Sequence, residues 1–133
     1  MDSILIVATE ETPAIVLNKS LKQISIKGRC FPEHVTKFFA STVNWIEDYC
    51  KDPNPESIVE MEISYMNSAS NKMIFDIVKM FEKIQSPNTV VIKWYCEDDG
   101  ETDERGEEIR DLINVPVELI YLEEEEEEDE DLY

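Results

Sequence analysis

From Ser57 to Tyr65 the chain alternates with strict period two: Val59, Met61, Ile63 and Tyr65 share one face, and Glu60, Glu62 and Ser64 share the other. A strand written this way has one buried face and one that is wet or covered by something polar. The segments on either side carry a different period. Pro32 opens a long helix whose apolar residues are Val35, Phe38, Phe39, Val43, Ile46, Tyr49 and Cys50, spacings of three and four that make one broad stripe. Proline loses nothing at a first helical position, and Glu33 suits the positive end of the helix dipole. Asp52-Pro53-Asn54-Pro55 stops that helix. After the strand, Met66 to Ser70 makes a short loop. A second helix follows with Met73, Ile74, Ile77, Val78, Phe81 and Ile84 as its stripe, closed by Ser86-Pro87-Asn88.

The rest of the chain extends this alternation of elements. Thr89 to Cys96 is the most apolar strand and reads as the sheet centre. Glu97 to Gly100 is an acidic turn, Thr102 or Asp103 caps a short third helix carrying Ile109, Leu112 and Ile113, and Pro116 to Leu122 is a last strand. Upstream, Ile4 to Val7 is an edge strand or a loose end, and Pro13 keeps the residue before it extended. Ala14 to Leu17 and Leu21 to Lys27 form a hairpin about Asn18 to Ser20, with Leu21, Gln23 and Ser25 opposed to Lys22, Ile24 and Ile26, ended by Gly28. A hairpin followed by helix–strand–helix–strand–helix–strand predicts a single α/β domain with right-handed crossovers and a mostly parallel sheet. The half-polar strand predicts three main helices largely on one face.

Charge sets the limits on partners. The chain holds 31 acidic and 12 basic residues, a net charge of −19, and Glu123 to Asp131 is an unbroken run of nine acids. Without that run the body still carries −10. Residues 1–122 are therefore expected to form the domain and residues 123–133 a disordered acidic tail, because adjacent like charges with little apolar content do not order themselves. An acidic body repels phosphate backbones and anionic membrane surfaces. No apolar run approaches the roughly 18 residues of a membrane span, and the N-terminus lacks the basic region of a signal peptide. The three cysteines, Cys30, Cys50 and Cys96, have neither the number nor the spacing of a disulfide framework or zinc knuckle, which fits a reduced, cytoplasmic protein. Neither a GxGxxG nor a Walker A motif is present, and no cofactor is expected.

Several side chains could carry chemistry. Met66-Asn67-Ser68-Ala69-Ser70-Asn71 lies where a strand exits and a helix begins, the end at which open α/β sheets place functional loops. Asn67 or Ser68 can cap the helix, and a serine there is also placed to carry a phosphate. Cys30 and His34 could form a nucleophile pair, but no third orienting group is evident. The acids Glu97, Asp98, Asp99, Glu101 and Asp103 lack the order of an EF-hand and read as a solvated loop rather than a metal site. Cys50 and Cys96 read as core residues, as does Trp94. Trp45 falls off the first helical stripe and either flanks the core or marks a contact surface.

Four motifs in order carry a resemblance. Thr12-Pro13-Ala14-Ile15, Gly28-Arg29-Cys30-Phe31-Pro32-Glu33, Ser64-Tyr65-Met66-Asn67-Ser68-Ala69-Ser70, and the C-terminal set Trp94 to Asp99, Gly106-Glu107-Glu108 and Pro116 to Ile120 resemble the SiaC family of bacterial regulatory phosphoproteins, small domains with a STAS-like fold. The likeness runs from about Glu11 to Ile120. It implies that Ser68 is phosphorylated by a cognate Ser/Thr protein kinase and restored by a PP2C-type phosphatase. It implies too that the unphosphorylated form binds a partner such as a diguanylate cyclase in cyclic-di-GMP and biofilm control. Through the same motifs it assigns Asn67, Ser70 and Glu33 to loop support or partner binding. The body shows no catalytic set, so it is expected to act by binding and not as an enzyme. The alternative within the same fold is an anti-sigma factor antagonist of a partner-switching system.

Overall fold

The computed structural model describes residues 2–123; the acidic run beyond Glu123, expected to be disordered, lies outside the described residues. Six strands form one sheet in chain order: β1 (Ile4–Ile6), β2 (Ala14–Asn18), β3 (Gln23–Cys30), β4 (Glu56–Met66), β5 (Thr89–Cys96) and β6 (Val117–Tyr121). The first three pair antiparallel and β3 to β6 pair parallel. Three helices make the crossovers: α1 (Val35–Lys51), α2 (Ser68–Met80), continued by a 3-10 turn at Phe81–Ile84, and α3 (Thr102–Leu112). The N-terminal hairpin, the mostly parallel sheet and the one-sided helical layer are those the sequence predicts. Ile4–Ile6 resolves to an edge strand.

The alternation in the strands marks the covered face. Val59, Met61 and Ile63 of β4 and Val90, Ile92 and Trp94 of β5 are buried against the helices, whereas Glu60, Glu62, Lys93 and Tyr95 remain partly open. On that open face Lys27 meets Glu60 at 3.5 Å across β3 and β4, and the Tyr95 hydroxyl donates to Glu60 at 3.2 Å. Pairs of this kind join neighbouring strands without a second helical layer.

Several expectations are corrected. Pro32 does not begin α1, which starts at Val35 with His34 as its N-cap. The β3 strand runs on past Gly28 to Cys30, and the Phe31 amide donates to the Glu11 carbonyl at 2.7 Å, so the chain needs Pro32 to His34 to climb from sheet to helix layer. Glu33 therefore lies ahead of the first turn of α1. Of the two roles open to Trp45 the core-side one holds, and it lies on the buried stripe rather than off it: it stacks on Tyr49 at 5.2 Å and its indole N–H donates to the Asp2 carbonyl at 2.8 Å, which lets the largest side chain of the helix go under. Thr42 and Trp45 join Phe39, Ile46 and Tyr49 on the buried stripe, which turns Phe38 and Val43 towards its margin. The most apolar strand, β5, is one in from the edge, with β3 and β4 at the centre. Leu112 of α3 is exposed, because only Ile109 and Ile113 reach the core.

Close approach fixes the third helix. A Cβ at Gly106 would lie 2.5 Å from Leu119 Cδ2 and 2.6 Å from Trp94 Cδ1. Trp94 is fully buried and its indole N–H is bonded to the Thr102 carbonyl at 2.9 Å, so the ring has nowhere to go. Alanine in a helix interior gains up to about 1 kcal/mol over glycine. Overpacking costs about 1–3 kcal/mol. Gly106→Ala is expected to lower stability by about 1–2 kcal/mol in chemical denaturation; a stabilised variant would show that α3 sits further from the sheet.

Candidate functional site

The end of β4 departs from its own alternation. Gly28 of β3 pairs with Ile63, but Arg29 pairs with Tyr65, leaving Ser64 without a partner on β3. Gly28 supports this with a φ of 132°, a conformation that side chains rarely permit. One extra residue inverts every later side chain. Tyr65, expected on the buried face with Val59 to Ile63, is half exposed, and Met66 is buried in its stead. Tyr65 meets Phe31 edge to face at 5.3 Å, and the Arg29 guanidinium lies over the Phe31 ring at 5.1 Å.

The loop that follows is a helix cap. Asn67 takes an extended conformation, and its side-chain oxygen accepts the Ser70 amide at 2.9 Å while its carbonyl accepts the Asn71 amide at 2.9 Å. Ser68 is the first helical residue and is exposed. The Ser68 and Ala69 amides belong to the first turn, where no helical carbonyl is in reach. Ser70 is fully buried, its hydroxyl lying near the Cys30 thiol at the foot of the loop without a well-formed hydrogen bond.

A cleft of about 680 Å3 separates this loop from the start of α3. Ile63 to Ser68 and Asn71 line one side, and Gly100, Glu101, Thr102, Glu104, Arg105 and Glu108 line the other. Asp99 builds the second wall: one carboxylate oxygen accepts the amides of Glu101 and Thr102, each at 2.9 Å, and the Thr102 hydroxyl at 3.1 Å. Those amides hold its carboxyl below the usual carboxylate range. Arg105 is the one cation lining the cleft among the described residues, and it forms no salt bridge among them.

The candidate residues separate. Asn67 and Ser68 lie together in the cleft wall; Ser70 packs beneath them and presents no surface; Glu33 is exposed and does not line the cleft. Cys30 is buried at the end of β3, not in a turn, and burial pushes its thiol up, the reverse of what a nucleophile needs. Of the acids read as a loop, Asp99 ties off α3 and the Asp103 carboxylate accepts the Glu104 amide at 2.9 Å. Sequence reasoning missed Arg105. Its signal was present in Glu101, Glu104, Arg105 and Glu108, which share one face of α3 by helical spacing.

A six-stranded mixed sheet with three helices, carrying a serine at the head of the second, defines a small α/β domain built around one presented loop. The chain matches the model of the SiaC family regulatory phosphoproteins over residues 6–122 and belongs to that family. It is 26% identical over 118 residues to an uncharacterized protein of Pseudomonas aeruginosa (strain UCBPP-PA14), covering 87% of this chain and 94% of that one. Apo-SiaC from Pseudomonas aeruginosa superposes with a TM-score of 0.81 at 26% identity, over 90% of this chain and 99% of that one. A chain in the crystal structure of the diguanylate cyclase SiaD in complex with its activator SiaC, also from Pseudomonas aeruginosa, superposes at 0.81 with 25% identity, again over 90% and 99%.

Loss of an N-cap side chain costs about 1 kcal/mol. Asn67→Ala is expected to lower stability by that amount, and Asn67→Asp to restore most of it. Equal stability of Asn67→Ala and the parent chain in urea denaturation would contradict the capping role.

Proposed function

We propose that this protein is a phosphorylation-controlled binding module, in which Ser68 without phosphate leaves the domain free to engage a diguanylate cyclase. The observation that carries the reading is the position of Ser68: exposed, first in α2, held by the Asn67 cap and open to the cleft. Family membership supports a regulatory phosphoprotein, and the complex of a related SiaC with its cyclase supports a cyclase over an anti-sigma kinase as output. The domain itself is not an enzyme on this reading. Its buried thiols are pushed up, and two acids of the β5–α3 turn, Asp99 and Asp103, are engaged by backbone amides. A reduced, cytoplasmic setting accords with three free cysteines.

The switch is a charge change. A cognate Ser/Thr kinase transfers the terminal phosphoryl group of ATP to Ser68 Oγ: the O–P bond forms, the bond to ADP breaks, and the hydroxyl proton leaves. A PP2C-type phosphatase returns the hydroxyl by adding water across the same bond and releasing inorganic phosphate. The phosphate brings about −1.5 to −2 charge to an exposed loop. The cleft already holds Glu101, Glu104 and Glu108 against Arg105, so an acidic partner surface is repelled and an apolar one must strip the phosphate of water. Asn67 keeps the loop in place in both states, and Ser70 fixes its foot.

Co-expression with a cognate kinase followed by phosphopeptide mass spectrometry tests the assignment. A single phosphate on Ser68, absent in Ser68→Ala, is expected. Modification elsewhere with Ser68 untouched would overturn it.

A further inference from the structure

We propose that Arg105 is the intramolecular receptor for a phosphate on Ser68, so that phosphorylation ties the head of α2 to α3 across the cleft. The inference rests on the reading of Ser68 given above and adds what the phosphate binds. Ser68 and Arg105 line the same cleft from opposite elements. Arg105 is half-buried there, stands beside three glutamates, and pairs with no carboxylate among the described residues. An arginine left in this state, on a body with a net charge of −10, is a cation whose fork of donors is open to a phosphate.

The wall that presents it is anchored at both ends. Asp99 fastens the first turn of α3, the Arg105 amide donates to the Glu101 carbonyl at 3.1 Å, and the next residue is Gly106, packed against Trp94 with no room for a Cβ. The helix stays where it is, and only the Arg105 side chain swings. On the opposite wall the Ser70 amide is taken by Asn67, which leaves the Ser68 and Ala69 amides of the first turn as further donors to the phosphate.

Two electrostatic effects oppose each other in this cleft. Glu101 at the N-cap of α3 and Glu104 and Glu108 within it repel a phosphate, but all three are exposed and are screened by water and salt. A guanidinium meets a phosphate through two parallel charge-assisted hydrogen bonds, which carry both direction and strength. The short-range pair therefore sets where the phosphate sits, and the glutamates set how much salt weakens it. Capture also takes the one cation of the cleft away from any partner, so the same event adds a negative group and hides a positive one.

Phosphoserine installed at position 68 during translation, followed by 31P NMR titration of the full chain, tests the pairing. Besides Arg105, the groups facing the phosphate are Glu101, Glu104 and Glu108 from α3 and Tyr65 from β4; they are common to every variant and cancel in the comparison. A guanidinium favours the dianion and so lowers the pKa of the second ionisation. The parent chain is expected to titrate about half a pH unit or more below Arg105→Gln. Arg110→Gln, an exposed arginine on the same helix outside the cleft, should titrate with the parent. In the parent chain itself the Arg105 Nε–H resonance should move on phosphorylation, a readout that needs no substitution. Equal titration of parent and Arg105→Gln, or an equal shift in Arg110→Gln, would overturn the proposal. The phosphate is installed without a kinase, so modification of a different residue in cells would refute the assignment of Ser68 while leaving this measurement intact.

Discussion

In β4, Ser64 has no partner on β3, and everything that makes the loop usable follows from that one unpaired residue. The parity change sends Met66 into the core and leaves Tyr65 outside beside Phe31. With Met66 anchored, Asn67 arrives extended at the point where α2 begins, Ser68 faces outward, and Ser70 is driven beneath the loop to the end of β3. An unbroken alternation would have put Tyr65 in the core and turned the serine by one position. Gly28 is the complementary requirement, since the matching residue of β3 needs a φ of 132° close to the Pro13 backbone.

The two walls of the cleft are held by different means. The Asn67 side is held by burial, with Met66 and Ser70 under it and the whole of α2 behind it. The opposing side is held by polar contacts, where Asp99 collects backbone amides, and by the absence of a side chain at Gly106. Because the Asp99 carboxyl is held below its usual range, its contribution is present above the unfolded carboxylate range and is lost as pH falls through the lower folded value. The Asp99 contacts at the start of α3 are therefore weakened by acid.

Much of this was legible in the residues. Period two in Ser57 to Ile63 and the helical stripes around it were enough for the element order, the one-sided helical layer and the mostly parallel sheet, because each reports a burial pattern directly. The loop from Asn67 to Ser70 was legible through cap chemistry. What was not legible depended on partners distant in sequence. The bulge needs the β3 register, which no local pattern records. Trp45 is buried because a carbonyl at Asp2 accepts its indole N–H, a contact spanning most of the N-terminal half. Pro32 has the composition of a helix start, yet the Phe31 amide is bound to Glu11 and the chain must first cross to the next layer. Arg105 was hidden by composition: one basic residue in an acidic helix reads as solvated charge until the opposite wall is known.

The −10 of the body is the background to the proposed switch rather than a guide to a ligand. On the proposed reading a phosphate adds one more negative group, and its effect depends on being placed at the loop and not on net charge. The most direct test of the account is the affinity of a SiaD-type diguanylate cyclase for the unmodified chain and for the chain carrying phosphoserine at position 68, measured by titration calorimetry. The account predicts binding by the unmodified chain and a loss of about tenfold or more on phosphorylation, the equivalent of about 1.4 kcal/mol. Equal affinity of the two forms, or tighter binding by the phosphorylated one, would contradict it.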